Sequence, residues 1–253
     1  MVLHRFPETL RKLDQVLDFA PDDVDTLATK AAIAQAEGDL PRASTLLAPL
    51  HPPAEDTIAV EIQVYQAILE RRSAQIIPRL KEILAKPDPA WGYATGEMRF
   101  WLGWAQEVAG DDAGARESWQ QARSELEPFL KEQPENYNLI YDLALTNMGV
   151  GDKNAALALS EKAIAVIPVE KDAFDGPAPI EILARVAARM GEHDRAIAAL
   201  QKILSLPYEG PLGGGQCPLT PALLRLDPMF DPLRNDPRFQ KLAASPLQVS
   251  AKQ

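Results

Sequence analysis

One cysteine, Cys217, stands alone among 253 residues. A single thiol cannot close an internal disulfide, which fits a reducing, cytoplasmic setting. Histidine is nearly as scarce. His4, His51 and His193 are far apart, and none has a second histidine or a cysteine at ligand spacing, so no metal centre is expected. Positive charge is short as well: 26 Lys and Arg face 36 Asp and Glu, for a net charge of -10. Such a surface repels phosphate backbones, so no nucleic acid is expected as a partner. Long apolar runs are missing too. Nothing approaches the roughly 18 residues of a membrane span, so no membrane insertion is expected. The first residues, His4-Arg5-Phe6-Pro7, carry no signal-peptide pattern and lead straight into a helical pattern.

Catalytic signatures are absent in the same way. Gly213-Gly214-Gly215 lacks the Gly-Lys-Ser/Thr that a phosphate cradle needs, and no strand pattern precedes it, so it reads as a linker. Acidic residues scatter over helix faces and turns without forming an acid/base couple. Neither catalysis nor a cofactor is expected.

What is present is a period. Pro134 and Pro168 stand 34 residues apart and close similar helical stretches. Between them, Ile140, Leu143 and Ala144 mark a first helix. Gly151-Asp152 forms a turn, and Ala156 and Ala163 mark a second helix. Glycine tolerates the left-handed turn conformation, and alanine lets two helices approach closely. The same columns recur in Leu27, Ala31, Gly38 and Ala43; in Gly103, Gly110, Ala115 and Trp119; and in Leu183, Ala184, Gly191 and Ala196. A unit from about Asp56 to Pro87 is helical but degenerate. It has Arg72-Ser73-Ala74 where the turn glycine belongs, and Pro78 near the start of its second helix. Residues 123–134 continue the preceding helix, and Val169–Pro179 reads as an extended loop. The first helix, about Pro7 to Phe19, reads as a second helix without its first. Either its partner lies upstream in a longer protein, which we prefer, or it caps the N-terminal end.

These columns resemble the tetratricopeptide repeat family over roughly residues 7–208. The resemblance implies an all-α, right-handed superhelical solenoid of about four to five helix pairs. A linker at 209–218 and a tail at 219–245 would follow, with 246–253 disordered. The tail carries Asp227-Pro228, Asp231-Pro232 and Asp236-Pro237, each an N-cap aspartate followed by a first-turn proline. It should therefore form several short helical turns that cap the last repeat; a docking surface for an effector domain is the other reading. This tail resembles those of bacterial multidomain signalling proteins that join such repeats to a kinase, a cyclase or a winged-helix domain. No such effector domain is visible in the sequence.

The resemblance also implies a concave groove lined by first helices. Carried over by register, the partner-binding positions are Phe100, Trp104 and Glu107, then Asn138, Tyr141, Leu145 and Met148, then Glu181 and Arg185. The expected partner is a protein or peptide segment. Phe100 and Trp104 either face the groove, the reading we prefer, or pack in the core with Trp91, Tyr93, Trp101 or Trp119. The family's lysine-and-asparagine clamp for C-terminal carboxylates is missing, since those positions hold Ala28/Ala32, Phe100/Trp104, Tyr141/Leu145 and Glu181/Arg185. The expected function is a non-catalytic interaction module in signalling. The alternative is a small-molecule sensor with an enclosed pocket at Phe100, Trp104 and Tyr141.

Overall fold

The computed structural model describes residues 5–86, 89–213 and 217–246, all helix, turn and loop with no strand among them. His4, Pro87, Gly214, Gly215 and residues 247–253 lie outside the described residues. After α1 (Phe6–Leu17), five successive helix pairs follow. They are α2 (Val24–Glu37) with α3 (Leu40–Leu47), α4 (Thr57–Leu69) with α5 (Ile77–Ala85), and α6 (Ala94–Val108) with α7 (Asp112–Glu132). Then come α8 (Tyr137–Val150) with α9 (Lys153–Val166), and α10 (Ala178–Arg189) with α11 (His193–Ile203). Three short segments end the described chain: α12 (Pro221–Leu226), a 3-10 helix at Pro228–Leu233, and α13 (Pro237–Ala243).

Local chemistry sets the helix ends. Asp23, Asp39, Asp56, Asp111 and Asp152 each accept a backbone N–H three residues on, satisfying donors that the first turn leaves open. Gly38, Gly110, Gly151 and Gly191 turn the chain at φ between +78° and +91°. The degenerate pair has no glycine there, and Arg71 takes the positive φ instead, at 59°. A Cβ in that region costs roughly 1–2 kcal/mol. The Arg71 guanidinium makes two 2.8 Å hydrogen bonds to Asp231 of the tail, so the strained turn holds a long-range contact.

Each second helix packs against its own partner or the next first helix, and α2, α4, α6, α8 and α10 touch one another in series as a layer. Glycine permits the closest approach. A Cβ on Gly103 of α6 would stand 2.6 Å from the Trp119 ring of α7, and one on Gly149 of α8 would stand 2.3 Å from it. Trp119 is thus held between two helices that offer no side chain at the contact. Its indole N–H donates to the Phe100 carbonyl at 3.3 Å.

The tail does not stay on the last pair. α13 lies on α11 and α12, the Pro228–Leu233 segment lies on α10, and α12 reaches α2. Thr220 caps α12, and its hydroxyl donates to the Ala36 carbonyl at 2.6 Å, joining residues 184 positions apart. The last segment therefore crosses the layer of first helices from the final pair to the first. Two Asp-Pro steps open helical segments, with Asp227 capping Met229 and Asp236 capping Arg238. Asp231-Pro232 sits inside the 3-10 helix, and Asp231 serves as the partner of Arg71 and Arg234. The main hydrophobic cluster runs without a break from Phe6 through Tyr65, Trp101, Leu145 and Ile182 to Leu223, Phe230 and Phe239.

Candidate functional site

Register about a helix axis does not say whether that helix has an open face. α6 has none: α4, α5, α7 and α8 all pack on it, and residues 100–106 are buried without interruption. Phe100 is 3% exposed and Trp104 1%, so the preferred groove-facing reading gives way to the core reading. Trp104 stacks on Trp101 at 5.2 Å and leans on Tyr65 at 5.8 Å and Phe100 at 6.1 Å. Among the described residues its indole N–H has no acceptor. Leu145 and Met148 are buried in the same cluster. Glu107 is half-buried and paired with Arg189 of α10, with 3.0 Å between its second oxygen and the other guanidinium nitrogen.

Glu181 and Arg185 are also buried, under the tail. Arg185 donates to Glu181 at 2.8 Å within α10 and to Asp227 of the tail at 2.5 Å. The Tyr65 hydroxyl of α4 donates to the same Asp227 oxygen at 2.7 Å. The Tyr208 hydroxyl donates to Glu181 and accepts from the Leu219 N–H at 2.7 Å. The guanidinium also lies over the Phe230 ring, 5.2 Å from its centroid. Two carboxylates thus share one guanidinium, with two phenols supplying further donors. The network ties α4 and α10 to the crossing segment. Burial, with the neighbouring carboxylates, pushes both tyrosines well above their ordinary range, so they remain donors.

Asn138 and Tyr141 lead to an open site. They line a pocket of about 360 Å³ with Ile58 and Glu61 of α4, Tyr137, Asp175, Ala178 and the stretch Glu209–Pro211. The Tyr137 hydroxyl donates to Asp175 at 3.1 Å, and burial first and Asp175 second push that phenol up to about 12. Glu61 is 9% exposed and, among the described residues, makes no hydrogen bond or ion pair. Glu97 of α6 and Asp142 of α8 act on it and on each other. Burial pushes all three carboxyls up, and their mutual repulsion adds to this at Glu61 and Asp142; Glu97 reaches about 7. Sequence reasoning missed this cluster because the three acids come from three units and share no column. The signal was a carboxylate inside an apolar run: Val60-Glu61-Ile62 and Tyr141-Asp142-Leu143. A second hollow, about 680 Å³, lies open beside Leu40, Pro41, Glu70 and Arg72 and gathers no comparable chemistry.

Among the described residues no group of three His, Cys, Asp or Glu side chains is arranged to hold a metal ion, and no helix is long and apolar enough to cross a membrane. Burial pushes the Cys217 thiol up to about 12, which keeps it protonated and a poor nucleophile. Gly213 of the glycine run packs on Tyr65, where a Cβ would come within 2.8 Å of the ring. No protein-family model matches the chain, and no curated protein matches it.

Proposed function

We propose that the chain is a non-catalytic interaction module built as a tetratricopeptide-like, right-handed solenoid. Its resemblance in the Asp-Pro tail supports a regulatory or scaffolding role in a bacterial, cytoplasmic signalling protein. The partner is a protein or peptide segment. One observation carries the reading: two register-derived positions, Asn138 and Tyr141, line a pocket at the layer of first helices. The other register-derived positions are covered or paired, so contact with a partner centres on this pocket rather than on a groove running the length of the layer. Partner-binding centres favour aromatic rings flanked by polar groups, and Tyr137 and Tyr141 supply them here.

A displayed random-peptide library panned on the purified chain tests this. Enriched peptides should lose at least about tenfold in affinity against the Asn138→Ala/Tyr141→Ala chain, which still unfolds in one cooperative transition at a temperature lowered by the packing that Tyr141 gives up. Enrichment of peptides that bind both chains equally, or no enrichment, refutes the reading.

A second reading, a small-molecule sensor, draws on the size and walls of the pocket. About 360 Å³ is at the small end of ligand sites, and Glu209–Pro211, which leads to the tail, forms one wall. A ligand there would touch both the helix layer and the approach to its covering segment. The readout is a ligand-dependent rise in melting temperature that Tyr141→Ala abolishes.

A further inference from the structure

We propose that the pocket between α4, α8 and Glu209–Pro211 binds a primary alkylammonium group, with Glu61 as its buried counter-charge. This rests on the reading of that pocket as the binding site. The lining carries Glu61, Asp175 and Glu209 and no lysine or arginine. Elsewhere Glu181 and Asp227 pair with Arg185, Glu107 with Arg189, and Glu125 with Arg99, whereas Glu61 and Asp142 behind it have no such cation among the described residues. Glu61 lines the pocket, is nine-tenths buried and has neither cation nor donor among the described residues. A buried charge without a partner is costly, and a group in that position either stays protonated or takes up a cation.

The rest of the lining suits an organic cation. Tyr137 and Tyr141 present two rings with centroids 6.4 Å apart, and ammonium groups are attracted to aromatic faces. Ile58 and Pro211 offer apolar surface for an alkyl chain. The half-buried Asp175 and Glu209 would meet a second charge farther out. A bare metal ion fits poorly, because these carboxylates do not converge as ligands.

The ammonium could come from a free polyamine or from a lysine side chain. Isothermal titration at physiological salt separates the two, with spermidine as one probe and a lysine-centred tripeptide amide as the other. The expected result is saturable one-to-one binding of at least one probe, weakened about tenfold or more in Glu61→Gln. Protons should be released on binding, read from the dependence of the heat on buffer. Tighter spermidine assigns a polyamine; a tighter tripeptide assigns a lysine side chain. Because Glu61→Gln removes an unpaired charge, it should fold; if it does not, Glu209→Gln at the half-buried wall must weaken binding instead. Binding unchanged in the folded variant, or no binding by either probe, overturns the inference. If neither probe binds while the panned peptides still depend on Tyr141, the cation inference falls and the interaction reading stands. If panning fails as well, both fall.

Discussion

Replacing Asp227 by asparagine tests whether the buried network holds the crossing segment down. The wild-type carboxylate is fully buried and accepts from Arg185, from Tyr65 and from the Met229 N–H at 2.8 Å. Asparagine keeps the shape and one acceptor. If its oxygen stays on the Met229 N–H, its amide group must face the Arg185 guanidinium and the Tyr65 hydroxyl, donor against donor. Removing one partner of a buried ion pair costs about 3–5 kcal/mol. Glu181 still shares Arg185, which places the expected loss near the lower end, about 3 kcal/mol. For a chain of this size that lowers the melting temperature by about 6–12 °C. The assay is calorimetry at neutral pH, with Arg238→Ala as a control. Arg238 pairs with Asp194 and Asp236 in solvent, so its loss should leave the transition where it was. A hydrophobic replacement of both partners, Asp227→Leu with Arg185→Met, should lose less than the two single changes summed. If Asp227→Asn melts with the control, the network does not hold the segment and the reasoning fails.

Trp104→Ala should cost about 3–5 kcal/mol in urea titration, because the ring is enclosed; a midpoint unchanged from wild type would mean the ring is exposed. Gly149→Ala should destabilise by about 1–3 kcal/mol, since its Cβ would meet Trp119 at 2.3 Å; an unchanged midpoint would mean that α7 and α8 are less closely packed. Stability should also fall as pH rises from about 4.5 to 7. Glu97 binds its proton more tightly in the folded chain, so over that window the folded state holds protons that the unfolded chain has released. Raising one carboxyl from its ordinary 4.5 to about 7 corresponds to about 3 kcal/mol lost by the upper end of the window. Asp142→Asn relieves part of the repulsion and should flatten the slope of stability against pH; an unaltered slope would refute the coupling.

The helix pairs were legible because their boundaries are local events. An aspartate accepts N–H groups within its own first turn, and a glycine takes a positive φ by itself, so Asp152 and Gly151 speak without any tertiary partner. The short segments of the tail were legible for the same reason. The path of the tail was not. Thr220 meets Ala36, and Asp231 meets Arg71, through contacts that leave no periodic trace in either stretch. Register located Asn138 and Tyr141 at a pocket but misjudged Phe100 and Trp104, because angular position fixes a direction and not what lies there. The buried carboxylates were discounted because an acidic residue is usually a solvated one. Glu61 and Asp142 depart from that rule through the apolar neighbours on either side of each.

The hydrogen bond from Thr220 to Ala36 has a consequence for the order in which the chain can fold. A ribosome releases α2 long before residue 220 exists. The helix pairs can form one after another as they emerge, each resting on its predecessor. Their shared layer stays uncovered until the final segment arrives and lies across it. Completion therefore waits until the residues from about 219 onward have emerged, and a nascent chain held short of residue 219 carries an uncovered apolar layer, a natural target for chaperones.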